Sequence, residues 1–133
     1  MSGLANVDKA IKIIVVDDFS TMRRIVKDIL KQLGFRNIDE AVDGKQALEM
    51  MAITEYQFIV SDWNMPNMMG IDLLRAVRSD ERLKKIPFLM VTAETKKEDI
   101  LEAAKAGVSN YIGKPFTPDV FEKKLEQIFA KKA

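Results

Sequence analysis

The residues of this sequence that could do chemistry lie at the ends of short apolar runs. Carboxylate oxygens at such positions suit a hard divalent cation, and a lysine and a hydroxyl beside them suit a phosphoryl group. In such a site one carboxylate oxygen is the nucleophile, and the surrounding positive charge stabilises the transition state. Residues of these types follow four of the apolar runs: Asp17, Asp18, Asp62, Thr92 and Lys114.

Three carboxylates at one place repel each other, and this repulsion is the argument for a metal. At about 4 Å and an effective dielectric constant of about 20, each charged pair costs on the order of 4 kcal/mol. Mg²⁺ is the expected cation because it keeps several waters and shares its shell with phosphate, and Mn²⁺ can take its place. Taken alone, an aspartate at a strand end is more simply interpreted as a turn residue. The observation that favours a site is that all of these residues are expected at one edge of a sheet: Asp17, Asp18, Asp62, Thr92 and Lys114.

The composition excludes several other kinds of site. The 133 residues include no cysteine and no histidine, which excludes disulfides, thiolate chemistry and imidazole chemistry. The formal net charge of +1 gives no general attraction to nucleic acid. No apolar run is long enough to cross a bilayer, and residues 1–10 lack the apolar core of a signal peptide. We therefore expect a cytoplasmic protein that binds no nucleic acid and does not insert into a membrane.

The elements that must position these residues alternate between strands and helices. Helical periodicity follows each apolar run, and the connections are only a few residues long. Such alternation requires an α/β fold, with parallel strands, right-handed helical crossovers and helices on both faces of the sheet. The carboxyl ends of all strands then lie at one edge, where ligands bind in open α/β sheets. The predicted strands cover residues 11–16, 36–41, 58–62, 86–91 and 111–113.

The chain is long enough for one domain and too short for two. Residues 1–10 show no periodicity, so we expect them to form a loosely packed N-terminal extension. Residues 11–133 are expected to form the domain.

Polar and small residues predict where the helices begin and end. The third predicted helix has an apolar face, and its pattern directs Arg75 and Arg78 towards solvent. The predicted N-caps are Ser20, Asp43, Thr95 and Thr117, and the predicted glycine ends are Gly34 and Gly107.

Four motifs occur in this order along the chain: Val15-Val16-Asp17-Asp18, Asp62-Trp63-Asn64-Met65-Pro66, Thr92-Ala93-Glu94 and Tyr111-Ile112-Gly113-Lys114-Pro115-Phe116. Together they resemble the receiver domains of bacterial two-component signalling, and most closely the single-domain chemotaxis response regulators. The resemblance covers about residues 11–129, and it implies a flavodoxin-like (βα)5 fold whose five-stranded parallel sheet has the order 2-1-3-4-5.

The resemblance also implies roles for individual residues. Asp62 would accept a phosphoryl group from the phosphohistidine of a kinase, or from a small donor such as acetyl phosphate. Thr92 and Lys114 would contact the phosphoryl oxygens, and Tyr111 would change rotamer together with Thr92. The implied Mg²⁺ ligands are Asp17, Asp18, Asp62 and the backbone carbonyl of Asn64.

Further implications concern the loops around the phosphorylation site. Asn64 and Glu94 would tune hydrolysis of the phosphate. Trp63 resembles a partly exposed tryptophan that reports metal and phosphate binding. Met69 departs from the family pattern, because many receivers have aspartate at this position. The family usually has a cis peptide bond before the proline that corresponds to Pro115.

The function implied is a switch that phosphorylation activates, rather than an enzyme. The expected partners are a histidine kinase of chemotaxis type, the flagellar motor switch protein and a phosphatase. We expect control of flagellar rotation, because no DNA-binding or catalytic domain follows the last predicted helix and residues 19–24 resemble chemotaxis regulators. We also expect a monomer.

Three other functions use parts of the same pattern. A receiver of this fold could instead pass its phosphate to a histidine phosphotransfer protein in a phosphorelay. A phosphohydrolase of the haloacid dehalogenase type also uses an aspartate nucleophile, but it needs a second aspartate two residues later, where this sequence has Asn64. The intact set of acidic residues disfavours a pseudo-receiver that only binds a partner.

Overall fold

The computed structural model describes residues 3–93 and 96–130, in which five strands alternate with five helices as predicted. No helix in these described residues is long and apolar enough to cross a membrane. The strands are β1 (Lys12–Val16), β2 (Asn37–Ala41), β3 (Phe58–Asp62), β4 (Phe88–Thr92) and β5 (Asn110–Gly113). The helices are α1 (Ser20–Gln32), α2 (Gly44–Ile53), α3 (Gly70–Ser79), α4 (Lys97–Ala106) and α5 (Pro118–Ala130).

All five strands are parallel and lie in the order β2-β1-β3-β4-β5, which confirms the implied topology. The order reverses between β1 and β3, and a crevice opens at the carboxyl ends of strands at such a point. Val16 of β1 is in register with Ser61 of β3, so the next residues, Asp17 and Asp62, are neighbours. On the other side of β3, Asp62 is in register with Val91. The topology therefore brings the two aspartates to the crevice.

Alternate residues of the central strands pack into separate cores on the two faces of the sheet. Ile14 and Val16 belong to the core under α2, α3 and α4, whereas Ile13 and Val15 belong to the core under α1 and α5. Every residue of β3 and β4 is buried. Because both faces are covered, these strands appear in the sequence as continuous apolar runs. They form a rigid base for the residues at their ends.

The N-terminal segment packs more tightly than predicted. Leu4 is only 2% exposed and lies in the core under α1 and α5. The N–H of Gly3 donates to Oε2 of Glu126 on α5 at 2.8 Å, and Nζ of Lys9 donates to the carbonyl oxygens of Leu4 and Val7. The expectation of loose packing was wrong for Leu4, because its side chain enters the core although the segment has no periodicity.

Two of the predicted helix N-caps are confirmed. Oδ1 of Asp43 accepts a hydrogen bond from a backbone N–H of α2 at 2.8 Å, and Oγ1 of Thr117 accepts one from α5 at 3.3 Å. The prediction for Ser20 was wrong, because Ser20 is the first residue of α1 and Phe19 takes the cap position without a side-chain hydrogen bond. Thr95 lies outside the described residues.

The predicted glycines end their helices. Gly107 is the C-cap of α4 with a φ of 94°, and Gly34 follows the C-cap of α1 with a φ of 103°. A side chain with a Cβ rarely adopts this left-handed conformation, so glycine is the residue expected at such helix ends.

The two arginines of α3 differ, although both were predicted to face solvent. Arg75 is exposed and pairs with Glu102 of α4 at 2.6 Å. Arg78 is half-buried, and its guanidinium donates to the carbonyl oxygens of Gly107 and Ile86 at 2.8 and 2.6 Å. This burial lowers the pKa of Arg78. The prediction for Arg78 was wrong because a helical pattern does not show which carbonyls of distant loops reach the helix.

Candidate functional site

Four charged side chains meet at the carboxyl edge of the sheet. Asp17 follows β1 and Asp62 ends β3, and these residues are 3% and 6% exposed, whereas Asp18 is exposed. Each offers a carboxylate oxygen, and these three oxygens lie within 4.8 Å of one another. Lys114 places Nζ 2.8 Å from Oδ1 of Asp62 and 4.0 Å from Oδ2 of Asp17. The fold thus brings these four predicted site residues together.

Local hydrogen bonds fix the turn between β1 and α1. The N–H of Phe19 donates to Oδ1 of Asp17 at 2.9 Å, so this carboxylate closes its own turn. Nη1 of Arg23 donates to the carbonyl oxygen of Asp17 at 2.7 Å. Arg23 and Lys27 also hydrogen-bond to Glu40 on β2, and these bonds lower the pKa of Glu40. Sequence reasoning missed Arg23, because its contacts join three separate segments.

Gly70 allows α3 to approach the end of β3 closely. A Cβ at Gly70 would lie 2.1 Å from the carbonyl oxygen of Asp62, which no side chain permits. The N–H of Gly70 donates to the carbonyl oxygen of Trp63 at 2.8 Å, and the N–H of Trp63 donates to the carbonyl oxygen of Val91 at 3.0 Å. These contacts hold the backbone directly after Asp62. Sequence reasoning missed this role, although a glycine at the start of an apolar helical pattern is a signal for close backbone packing.

Thr92 and Lys114 come from neighbouring strands. Thr92 is the buried last residue of β4 and is in register with Gly113 of β5. The N–H of Lys114 donates to the carbonyl oxygen of Thr92 at 2.9 Å, so the backbone places both residues at the same edge. The peptide bond between Lys114 and Pro115 is cis, as the resemblance implied.

Burial raises the pKa of Asp17 from 3.8 to about 6. The negative charges of Asp62 and Asp18 also raise it, whereas the hydrogen bond from Phe19 and the positive charge of Lys114 lower it. Burial is the main cause, and a cation bound beside this carboxylate would favour its ionised form. Oxygen ligands from three carboxylates, one of them exposed, fit a hard divalent ion that keeps waters. The residues present therefore fit Mg²⁺.

Other predicted site residues lie around this centre. Asn64 is exposed in the loop between β3 and α3. Tyr111 on β5 is 36% exposed, and Nζ of Lys124 lies 5.2 Å from the centre of its ring. Trp63 is only 7% exposed, so the expected partial exposure was wrong, because this side chain packs into the core under α2, α3 and α4. Glu94 lies outside the described residues.

Comparison with known proteins identifies the family. The family model of the response regulator receiver domain matches residues 13–126. The chain belongs to the response regulator receiver family. This receiver is 61% identical over 118 residues to the chemotaxis protein CheY of Pseudomonas aeruginosa, and the match covers 89% of this chain and 95% of that relative.

Solved receiver structures share the fold. The receiver is similar to the chemotaxis protein CheY4 of Vibrio cholerae, with a TM-score of 0.83 and 34% identity over 90% of this chain and 98% of that one. It is also similar to the receiver domain of a sensor histidine kinase of Pseudomonas aeruginosa, with a TM-score of 0.80 and 25% identity over 91% of this chain and 98% of that one. That structure has a magnesium ion coordinated in its active-site cleft.

Proposed function

We propose that this receiver is a single-domain response regulator that becomes active when Asp62 accepts a phosphoryl group. The observation that carries the proposal is the distance of 2.8 Å between Nζ of Lys114 and Oδ1 of Asp62, beside two further carboxylates. A carboxylate nucleophile, a fixed cation and a place for a metal are the parts that phosphoryl transfer needs. The acceptor is a side chain of the protein itself, so the product is a modified receiver rather than a released molecule.

The transfer requires an exchange of contacts at Asp62. An oxygen of Asp62 attacks the phosphorus of a phosphohistidine, an O–P bond forms, the P–N bond breaks and the imidazole leaves with the electron pair. Lys114 then pairs with a phosphoryl oxygen, and the hydroxyl of Thr92 donates a hydrogen bond to another. Bound Mg²⁺ supplies positive charge that offsets the negative charge of the phosphoryl oxygens. The residues that would hold it are Asp17, Asp18, Asp62 and the backbone carbonyl of Asn64.

The new charge is the signal that changes the surface. The phosphoryl group carries a charge of roughly −1.5 to −2, which replaces the single negative charge of the Asp62 carboxylate and attracts Thr92 and Lys114. Because Lys114 directly follows β5, we infer that the response reaches Tyr111 and the surface formed by α4, β5 and α5. Asn64 and Glu94 are proposed to tune the hydrolysis that ends the signal.

The proposed circuit is chemotaxis. Its support is the similarity to relatives named chemotaxis protein CheY, one of which is matched over 95% of its length. We propose a cytoplasmic monomer that receives phosphate from a chemotaxis histidine kinase and binds the flagellar motor switch protein. A phosphatase would return it to the resting state.

The single tryptophan makes the proposal testable by fluorescence. Trp63 directly follows Asp62, so its emission should change when Mg²⁺ binds and again when beryllofluoride, a phosphoryl analogue, is added. In a pull-down, the flagellar motor switch protein should retain the beryllofluoride form and release the untreated form. Asp62→Asn is the control that should lose the response to beryllofluoride. Absence of any Mg²⁺-dependent change, or retention of a histidine phosphotransfer protein instead, would contradict the proposal.

A further inference from the structure

We propose that Asp43 and Asn67 form a positioning pair, which holds the loop after Asp62 in the shape that binds the metal. This inference rests on the function proposed above. The loop, residues 63–69, connects β3 to α3 and will be called the β3–α3 loop. It carries Asn64, whose carbonyl oxygen is a proposed metal ligand.

Backbone hydrogen bonds fix the two ends of the β3–α3 loop but leave its outer part to other contacts. The N–H of Gly70 donates to the carbonyl oxygen of Trp63 at 2.8 Å, which joins the ends. Within the loop, the N–H of Met68 donates to the carbonyl oxygen of Pro66 at 2.7 Å. Asn64 lies between Trp63 and Met65, which are buried in the core under α2, α3 and α4, so residues 66–69 are the part of the loop that other contacts must hold.

A side-chain pair ties this outer part to the start of α2. Nδ2 of Asn67 donates to Oδ2 of Asp43 at 2.7 Å. The other oxygen, Oδ1, accepts the N–H of Gln46 at 2.8 Å and caps α2. Asp43 is buried, and the hydrogen bonds from Gln46 and Asn67 keep its pKa below its ordinary value of 3.8. The acceptor is therefore charged at neutral pH, which makes both hydrogen bonds stronger than neutral ones.

The backbone of the loop also fits this contact. Asn67 has a φ of 66°, in the left-handed region that few residues other than glycine adopt. Such a conformation persists where surrounding contacts hold it. Next to Asp43, a Cβ at Gly44 would lie 2.9 Å from Cγ of Met68, so the loop packs directly against the start of α2. Two adjacent residues of α2 and two of the loop thus fit together.

Breaking the pair should weaken metal binding without removing a ligand. Changing a residue that orients a metal ligand usually lowers the metal affinity by about 10–100-fold. Because this pair acts on one backbone ligand through the loop, we expect a loss of about tenfold, at the low end of that range.

Two substitutions remove the contact between Asp43 and Asn67 but keep the cap of α2 and the backbone of the loop. Asp43→Ser keeps an N-cap oxygen for α2 but has no second oxygen for Asn67. Asn67→Gly keeps the left-handed backbone but removes the amide donor. The matched control is Asp80→Ser, because Oδ1 of Asp80 accepts the N–H of Arg82 at 2.8 Å, after α3 and before β4, away from the carboxyl edge. Mg²⁺ affinity is measured by Trp63 fluorescence, and the free energy of unfolding is measured by urea titration.

In a double-mutant cycle, the losses of Mg²⁺ affinity caused by the two substitutions should not add. Each single variant should bind Mg²⁺ about tenfold more weakly, and the double variant should bind no more weakly than either. Asp80→Ser should lower stability and leave Mg²⁺ affinity unchanged. Unchanged affinity in the pair variants, or losses that add in the double variant, would overturn the proposal; if Asp43→Ser does not fold, Asn67→Gly decides alone. A wild-type protein that shows no response to Mg²⁺ would instead overturn the function proposed for Asp62, and this pair's role with it.

Discussion

Asp17 is the residue whose chemistry the fold alters most. Burial raises its pKa from 3.8 to about 6, and the charges of Asp62 and Asp18 act in the same direction. Between these two values the native state holds a proton that the unfolded chain has lost, so the stability of the metal-free protein falls as pH rises through this interval. At pH 7 the metal-free protein therefore carries an electrostatic cost that a bound cation would relieve.

We expect Asp17→Asn to stabilise the metal-free protein at neutral pH by on the order of 3 kcal/mol, because asparagine is neutral at every pH. Urea unfolding in the presence of a chelator checks this at about pH 4 and at pH 7. The variant should be clearly more stable than the wild type at pH 7 and hardly more stable near pH 4. Added Mg²⁺ should then stabilise the wild type more than the variant. A variant that is less stable than the metal-free wild type at pH 7 would show that the ionised Asp17 carboxylate does not destabilise the protein.

At the scale of elements, the strands were predictable and one helix start was not. The carboxyl ends of parallel strands share an edge, so the meeting of Asp17 with Asp62 followed from the alternation of strands and helices. The start of α1 is set instead by the turn that Asp17 closes on Phe19, and the N–H of Arg23 then donates to the carbonyl oxygen of Phe19 at 3.1 Å. Serine favours cap positions in general, but this turn makes Phe19 the cap, and Ser20 follows it as the first residue of the helix.

The cap of α1 provides a prediction for this element. Phe19 is 66% exposed at the cap position and offers no oxygen to the helix. Phe19→Asn should stabilise the protein by about 1 kcal/mol, because an asparagine oxygen can accept an otherwise unpaired N–H of the first turn. Thermal and urea unfolding measure the change, and Phe19→Ala, which has no acceptor, is the control. If the alanine variant is as stable as the asparagine variant, the cap is not the cause.

At the scale of the whole molecule, the N-terminal segment contacts the folded domain through Gly3 and Leu4. Leu4 fills the core under α1 and α5, and Gly3 is tied to α5. Leu4→Ala should lower the free energy of unfolding by about 2–5 kcal/mol, because the substitution leaves a cavity in a packed core. Urea unfolding measures the loss, with the exposed Asn6→Ala as the control. Equal stability of the two variants would restore the prediction of a loosely packed extension.

Some features of the site could be predicted from the sequence, and others could not. The types of the reactive residues were predictable, because each ends an apolar run. The contacts that hold them were not, because Arg23, Gly70, Asp43 and Asn67 act between segments that are distant in the sequence. The raised pKa of Asp17 could not be predicted either, since burial depends on the packed structure.

Intact-protein mass spectrometry can show whether Asp62 is the phosphate acceptor. The protein is incubated with acetyl phosphate and Mg²⁺, and the site of any added group is located by peptide mapping. We expect one added phosphoryl group, located on Asp62, absent when Mg²⁺ is chelated and absent in Asp62→Asn. A wild-type protein that gains no phosphoryl group, or an Asp62→Asn variant that gains one at the same rate, would contradict it.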